Sequence, residues 1–162
     1  MKPLHAGLPA VYLKPGELHF ATGPTVVTTV LGSCVSVTMF ARASGSAAIC
    51  HAVLPEGSRS DTLRYVDTAI IHMLDLFSAQ GMHHKWLEVK LFGGADMMTA
   101  TGSRIGVGRR NIEIARQVLA AEGLNVASAD VGGTRGRKLF FYTHTGEILL
   151  KRLRRDELHR HG

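Results

Sequence analysis

The chain contains two cysteines, and Cys34 follows a Gly-Ser turn and precedes His51 by seventeen residues. A free thiol has a pKa of about 8.5, so only a few per cent is thiolate at neutral pH, and an imidazole in contact with it corrects this by taking or sharing the proton. Attack on a carboxamide carbon also needs hydrogen-bond donors for the oxyanion that develops. The backbone N–H groups around Gly32, Ser33 and Cys34 sit at a turn able to supply them, and glycine there lets the backbone of a substrate come close. A third group should hold the imidazole in one tautomer, and Thr28 or Thr29 could do so through a hydroxyl or carbonyl oxygen. Such a site forms an acyl-enzyme. Deamidation, peptide cleavage and transglutamination share that intermediate and differ in the leaving or attacking group. Pattern alone does not settle the matter, because a packed cysteine and a solvated histidine are commoner than a catalytic pair.

The elements around this pair must bring its members together. Residues 25–31 (TVVTTVL) are β-branched and end at Gly32-Ser33, after which Val35, Val37 and Met39 alternate with Ser36, Thr38 and Phe40. The turn-rich segment 41–45 (ARASG) then leads into a third strand from Ala47 to Leu54, stopped by Pro55. The second and third strands form a hairpin in this reading. In an antiparallel pair, opposed residues share a face and their numbers sum to a constant. If that sum is odd, Cys34 and His51 lie directly opposite or one diagonal step apart, with Cα atoms about 4.5 to 8 Å apart. The odd register gathers Val35, Val37, Met39, Ala48, Cys50, Ala52 and Leu54 on one apolar face, and Cys34, Ser36, Thr38 and His51 on a more polar one. An even register would bury His51 among the valines.

Further along, Leu63, Val66, Ile70, Met73 or Leu74, and Phe77 recur at helical spacing, with Ser60 or Asp61 as N-cap and Gly81 to end the helix. The segment 86–92 (WLEVKLF) predicts a strand running into Gly93-Gly94, and 111–121 (NIEIARQVLAA) a second helix closed by Gly123. A short strand is expected at 125–129, then a terminal hairpin of 138–143 and 147–153. Strands with two helices point to an α/β or α+β layered fold, a mixed sheet with covering helices. No repeat or long linker divides the chain, so residues 1–162 are read as one domain.

The chain has 162 residues, of which 45% are hydrophobic and 20% charged, a balance that suits a packed globular core. It shows neither an apolar run long enough to span a bilayer nor a secretory h-region, so a cytoplasmic protein without membrane insertion is expected. The net charge of +6 favours an acidic partner. The basic groups at Arg109, Arg110, Arg135, Arg137, Lys138 and the tail from Lys151 are not interleaved with aromatic side chains, so nucleic acid is not the expected partner. Cys50 alternates onto the apolar face, away from His51, and is read as core. The His83-His84 and His159-x-His161 pairs lack the carboxylates or thiols of a tetrahedral site, so no metal is expected. Gly93-Gly94 and Gly132-Gly133 lack phosphate-loop spacing and are read as tight turns.

The segment LGSCVSV at 31–37, with His51 within CHAVLP, resembles the signature of the CheD family, LGSCV followed by H-x-x-LP. FGGADM at 92–97, IGVGRRN at 105–111, DVGGTRGRK at 130–138 and the TG turn at 145–146 resemble later family blocks in the same order, so the likeness covers about residues 8–153. IGVGRRN departs from a shorter and often acidic form of that block. The resemblance implies a layered α/β sandwich that deamidates particular glutamines on the cytoplasmic helices of chemoreceptors through a cysteine thioester, without a cofactor. Carried over by position, it puts the nucleophile on Cys34, the histidine on His51 and a threonine on Thr28. Some members of the family also bind a CheC-type phosphatase. The competing reading is a non-catalytic adaptor that binds such a phosphatase or a receptor and leaves Cys34 idle.

Overall fold

A computed structural model describes residues 7–57, 62–96 and 106–154. In order along the chain it contains β1 (Ala10–Tyr12), β2 (Leu18–Ala21), β3 (Val26–Leu31), β4 (Val35–Ala41), β5 (Ser46–Cys50), α1 (Val66–Ala79), β6 (Leu87–Gly93), α2 (Val107–Ala121), β7 (Val126–Val131), β8 (Arg137–Tyr142) and β9 (Glu147–Arg152). The expected mixed sheet is two sheets. One has the order β1-β3-β8-β9 and the other β2-β5-β4-β6-β7. Each is antiparallel except at one edge, where β1 runs parallel to β3 and β7 parallel to β6.

Three layers follow from how the strands divide their side chains. Val35, Val37, Met39, Ala48, Cys50 and Ala52 pack under Ile70, Met73 and Phe77 of α1 and Ile114, Ala115 and Leu119 of α2. On the other face, Phe40, Ala47 and Ile49 meet Leu13, Val27 and Phe141 of the second sheet, and Phe92 meets Leu31 and Leu139. β4 lies between β5 and β6, and all seven of its residues are buried. The face read from sequence as the more polar one is therefore the inner surface of a sandwich, because Phe40 and Ile49 also lie on it.

Three expectations change. β1 and β2 are absent from the sequence reading, since Pro9, Pro15 and Gly16 break up the alternation that would reveal them. α1 begins at Val66 with Tyr65 as N-cap, whereas Ser60 and Asp61 lie outside the described residues. Its first turn instead uses Asp67, whose Oδ1 accepts from Gly57 N at 3.1 Å and Thr68 N at 2.8 Å. α2 begins at Val107, one turn before the expected Asn111, because Gly106 (φ +94°) starts the helix and Gly108 lies in its first turn. Gly108 also allows close packing: a Cβ on it would strike the carbonyls of Ala95 and Gly94. The basic tail from 155 onward, with its two histidines, lies outside the described residues.

Gly108→Ala should therefore lower stability by about 1–3 kcal/mol through overpacking. The exposed neighbour Arg109→Ala should stay within about 0.5 kcal/mol of wild type. Urea denaturation midpoints at constant slope measure both.

Candidate active site

The hairpin register is odd. Thr38 pairs with Ile49 and Met39 with Ala48, and beyond the regular ladder Val35 bridges Ala52, so every pair sums to 87. Val35 N–H donates to Ala52 O at 3.0 Å and Ala52 N–H to Val35 O at 2.9 Å. Continued by one residue, this register sets Cys34 opposite Val53 and one diagonal step from His51, the looser of the two arrangements expected. Such diagonal neighbours are about 7–8 Å apart at Cα. The two side chains leave the sheet on the same face: Cys34 packs against Leu31, Phe92 and Leu139 between the sheets, and the His51 ring meets the facing sheet at Thr29.

Cys34 is half-buried, whereas His51 is only 2% exposed. The backbone of His51 is held by the turn between β1 and β2: its N–H donates to Glu17 O at 3.0 Å and its C=O accepts from Gly16 N–H at 2.8 Å. Its Nδ1 lies 2.7 Å from Thr29 Oγ1, and Thr29 Oγ1 lies 2.8 Å from the Leu13 carbonyl. A hydroxyl has one hydrogen, which goes to that carbonyl because the carbonyl can only accept. Thr29 must then accept from Nδ1–H, and the lone pair of the ring falls on Nε2. That nitrogen is buried and has no hydrogen-bond partner among the described residues. The hydroxyl that meets the ring is thus Thr29's and not, as expected from the resemblance, Thr28's. Alternation along β3 sends Val27, Thr29 and Leu31 into the sandwich and Thr28 to the other side.

Burial lowers the His51 pKa from 6.5 to about 4, against smaller opposing effects of the Leu13 carbonyl and the Glu17 charge. At neutral pH the ring is therefore an uncharged base with its free lone pair on Nε2. Cys50 behaves as its position predicts: it is 1% exposed, its Sγ lies 3.4 Å from Val37 N, and burial raises its pKa to about 11.

The turn carrying Gly32, Ser33 and Cys34 is fixed through its carbonyls. Gly32 O accepts from Ala95 N at 3.0 Å and Cys34 O from Gly94 N at 2.8 Å. Gly93, with φ +102°, permits this approach, since a Cβ there would fall on the Cys34 carbonyl. Ser33 O accepts from Asn111 Nδ2 at 2.9 Å, a contact that the sequence reading missed because it took Asn111 for the first residue of the helix. Arg137, one of the basic groups named above, is 4% exposed and donates to Asp130 Oδ1 at 2.7 Å and Gly132 O at 2.8 Å. Among the described residues, no three His, Cys, Asp or Glu side chains gather as a metal-binding group, and no helix is long and apolar enough to cross a membrane.

Residues 53–152 match the family model described as CheD chemotactic sensory transduction. The chain belongs to the CheD family. Among CheD relatives, a Geobacter sulfurreducens protein named "Probable chemoreceptor glutamine deamidase CheD 2" is 71% identical over 97% of this chain and 98% of its own length. Two others carry the name "Probable chemoreceptor glutamine deamidase CheD". The one from Maridesulfovibrio salexigens is 41% identical over 88% of this chain and 91% of its own, and the one from Rhodospirillum rubrum 36% identical over 89% and 82%.

Two outcomes test the buried-histidine geometry. Because the His51 pKa is lower folded than unfolded, stability should be full above pH 6.5 and should fall as pH drops towards 4, by about 3 kcal/mol in total. In His51→Gln that part of the pH dependence should vanish, as urea denaturation at pH 7.5 and 4.5 would reveal. Separately, Thr29→Val strands Nδ1–H in the core and should cost about 1–3 kcal/mol, while Thr28→Val should cost far less.

Proposed function

We propose that this protein is a chemoreceptor glutamine deamidase, a hydrolase that converts glutamine side chains on receptor cytoplasmic helices to glutamate and ammonia. The observation that carries the reading is the register that sets a half-buried thiol and a buried, neutral imidazole on one face of the hairpin, with the ring's Nδ1 engaged by Thr29 and its Nε2 without a partner among the described residues. It agrees with the names borne by relatives that match along nearly the whole chain.

In the reaction, His51 Nε2 takes the Cys34 proton as the sulfur attacks the carboxamide carbon, and the carbonyl oxygen becomes an oxyanion facing the N–H groups of the Gly32–Cys34 turn. The imidazolium then gives its proton to the departing nitrogen, so ammonia leaves and a thioester remains. Water, deprotonated by the same nitrogen, adds to the thioester. Collapse of that adduct breaks the C–S bond, returns a proton to sulfur and leaves glutamate. Thr29 and the Leu13 carbonyl keep Nδ1 protonated throughout, so Nε2 is always the nitrogen that exchanges the proton.

Every proton in this scheme is handled by the chain or by water, and no cofactor takes part. The site of action is the cytoplasm, where the receptor helices lie. Nucleic acid is not a partner in this reading. A CheC-type phosphatase is the further partner that the family resemblance suggests.

Receptor cytoplasmic fragments incubated with the protein should release ammonia and show glutamine-to-glutamate conversion by peptide mass spectrometry. Cys34→Ala should reduce this to background, and His51→Ala should lower kcat about 100-fold or more. Equal conversion by Cys34→Ala would overturn the proposal.

A further inference from the structure

Asn111 holds a position that nothing in the reaction scheme above uses. It lies one turn inside α2, is fully buried, and donates through Nδ2 to two backbone carbonyls, Ser33 at 2.9 Å and Val53 at 3.1 Å. These two residues have a particular relation to the pair. Ser33 immediately precedes the thiol, and Val53 is the residue that the register sets opposite Cys34. One amide nitrogen from the helix layer therefore ties together the backbone of both strands at the level of the nucleophile.

The orientation of the amide is determined, since carbonyls only accept and the NH2 end must face them. Its Oδ1 points elsewhere and has no partner among the described residues. A trans peptide unit is planar, with its C=O and N–H on opposite sides. Holding the Ser33 carbonyl towards the helix layer thus turns the N–H of Cys34, the other end of the same peptide, towards the opposite side. Gly32 O, held by Ala95 N, fixes the Ser33 N–H in the same way.

We infer that Asn111 is a positioning residue that aims the Cys34 N–H as an oxyanion donor by clamping the Ser33 carbonyl. This rests on the deamidase reading. The two hydrogen bonds of the clamp go to backbone carbonyls and to neither the thiol nor the imidazole, whereas the tetrahedral intermediate needs the N–H that the clamp aims. Loss of the clamp should slow acyl transfer and spare the reactivity of the thiol.

The test uses full-length wild type, Asn111→Ala and Asn111→Asp with a receptor cytoplasmic fragment. Asp keeps the shape of Asn but sets an oxygen against two carbonyl oxygens. The thiolate is alkylated by iodoacetamide through displacement of iodide, with no oxyanion formed, so the reaction reports on the thiol alone. The expected result is a fall in kcat of about 100-fold in both variants, with KM and the pH profile of alkylation at Cys34 as in wild type. Retained kcat in a folded variant would overturn the inference. So would an alkylation rate that falls in step with kcat, or failure of both variants to fold, because Asn111 would then serve the fold and not the site. Absence of ammonia release by wild type would instead count against the deamidase reading itself.

Discussion

A buried imidazole is tolerated only if it stays uncharged and its N–H finds an acceptor, and much of this structure meets that requirement at His51. Thr29 supplies the acceptor, and it can do so because the Leu13 carbonyl takes the hydroxyl hydrogen. The chain of three groups runs from the five-stranded sheet into β3 and on to the segment after β1. The sandwich must therefore close before the ring has a defined tautomer. Closure in turn expels water from the ring and lowers its pKa, so one event both fixes the orientation of the ring and holds it uncharged at neutral pH.

The thiol side is organised differently. Cys34 stands at the entrance to β4, a strand buried along its whole length and paired on both edges. The turn before it is anchored by donors from Gly94, Ala95 and Asn111, all of which belong to the β6–α2 region. Gly93, without a side chain, lets that region approach the Cys34 carbonyl, and Gly108 lets α2 lie against the Gly94–Ala95 segment. The buried Arg137 extends the same end of the sandwich. It neighbours Leu31 in the β3–β8 ladder, and its charge is compensated by Asp130, to which Arg152 also donates. Such a charge would be costly if left alone.

That Cys34 and His51 share a face was legible in the sequence because a strand period of two leaves only two registers, and one of them mixes polar and apolar side chains on both faces. Both helices, most of the strands and the core role of Cys50 could be read by the same logic. What covers the polar face could not. That face includes Phe40 and Ile49, a hint that it too is buried, but the covering strands include β1, whose three residues carry almost no pattern. The choice between Thr28 and Thr29 turned on which face of β3 looks inward, a fact fixed by the partner sheet and not by β3 itself. Asn111 was hidden because glycines at 106 and 108 obscure a helix start that only tight packing against the Gly94–Ala95 segment makes favourable.

The uneven depth of the pair has a consequence for what can be brought to it. The base is sealed inside the sandwich, yet Cys34 is only partly buried at the point where β3 has ended and β4 has begun. A nucleophile at such a rim can be met by a long, flexible side chain projecting from a rod that stays folded. A sulfur at the foot of a trench would require the target to unwind into an extended thread. A partly buried thiol at a turn of this kind suits the side-chain deamidation proposed above, in which the helix that bears the glutamine stays coiled.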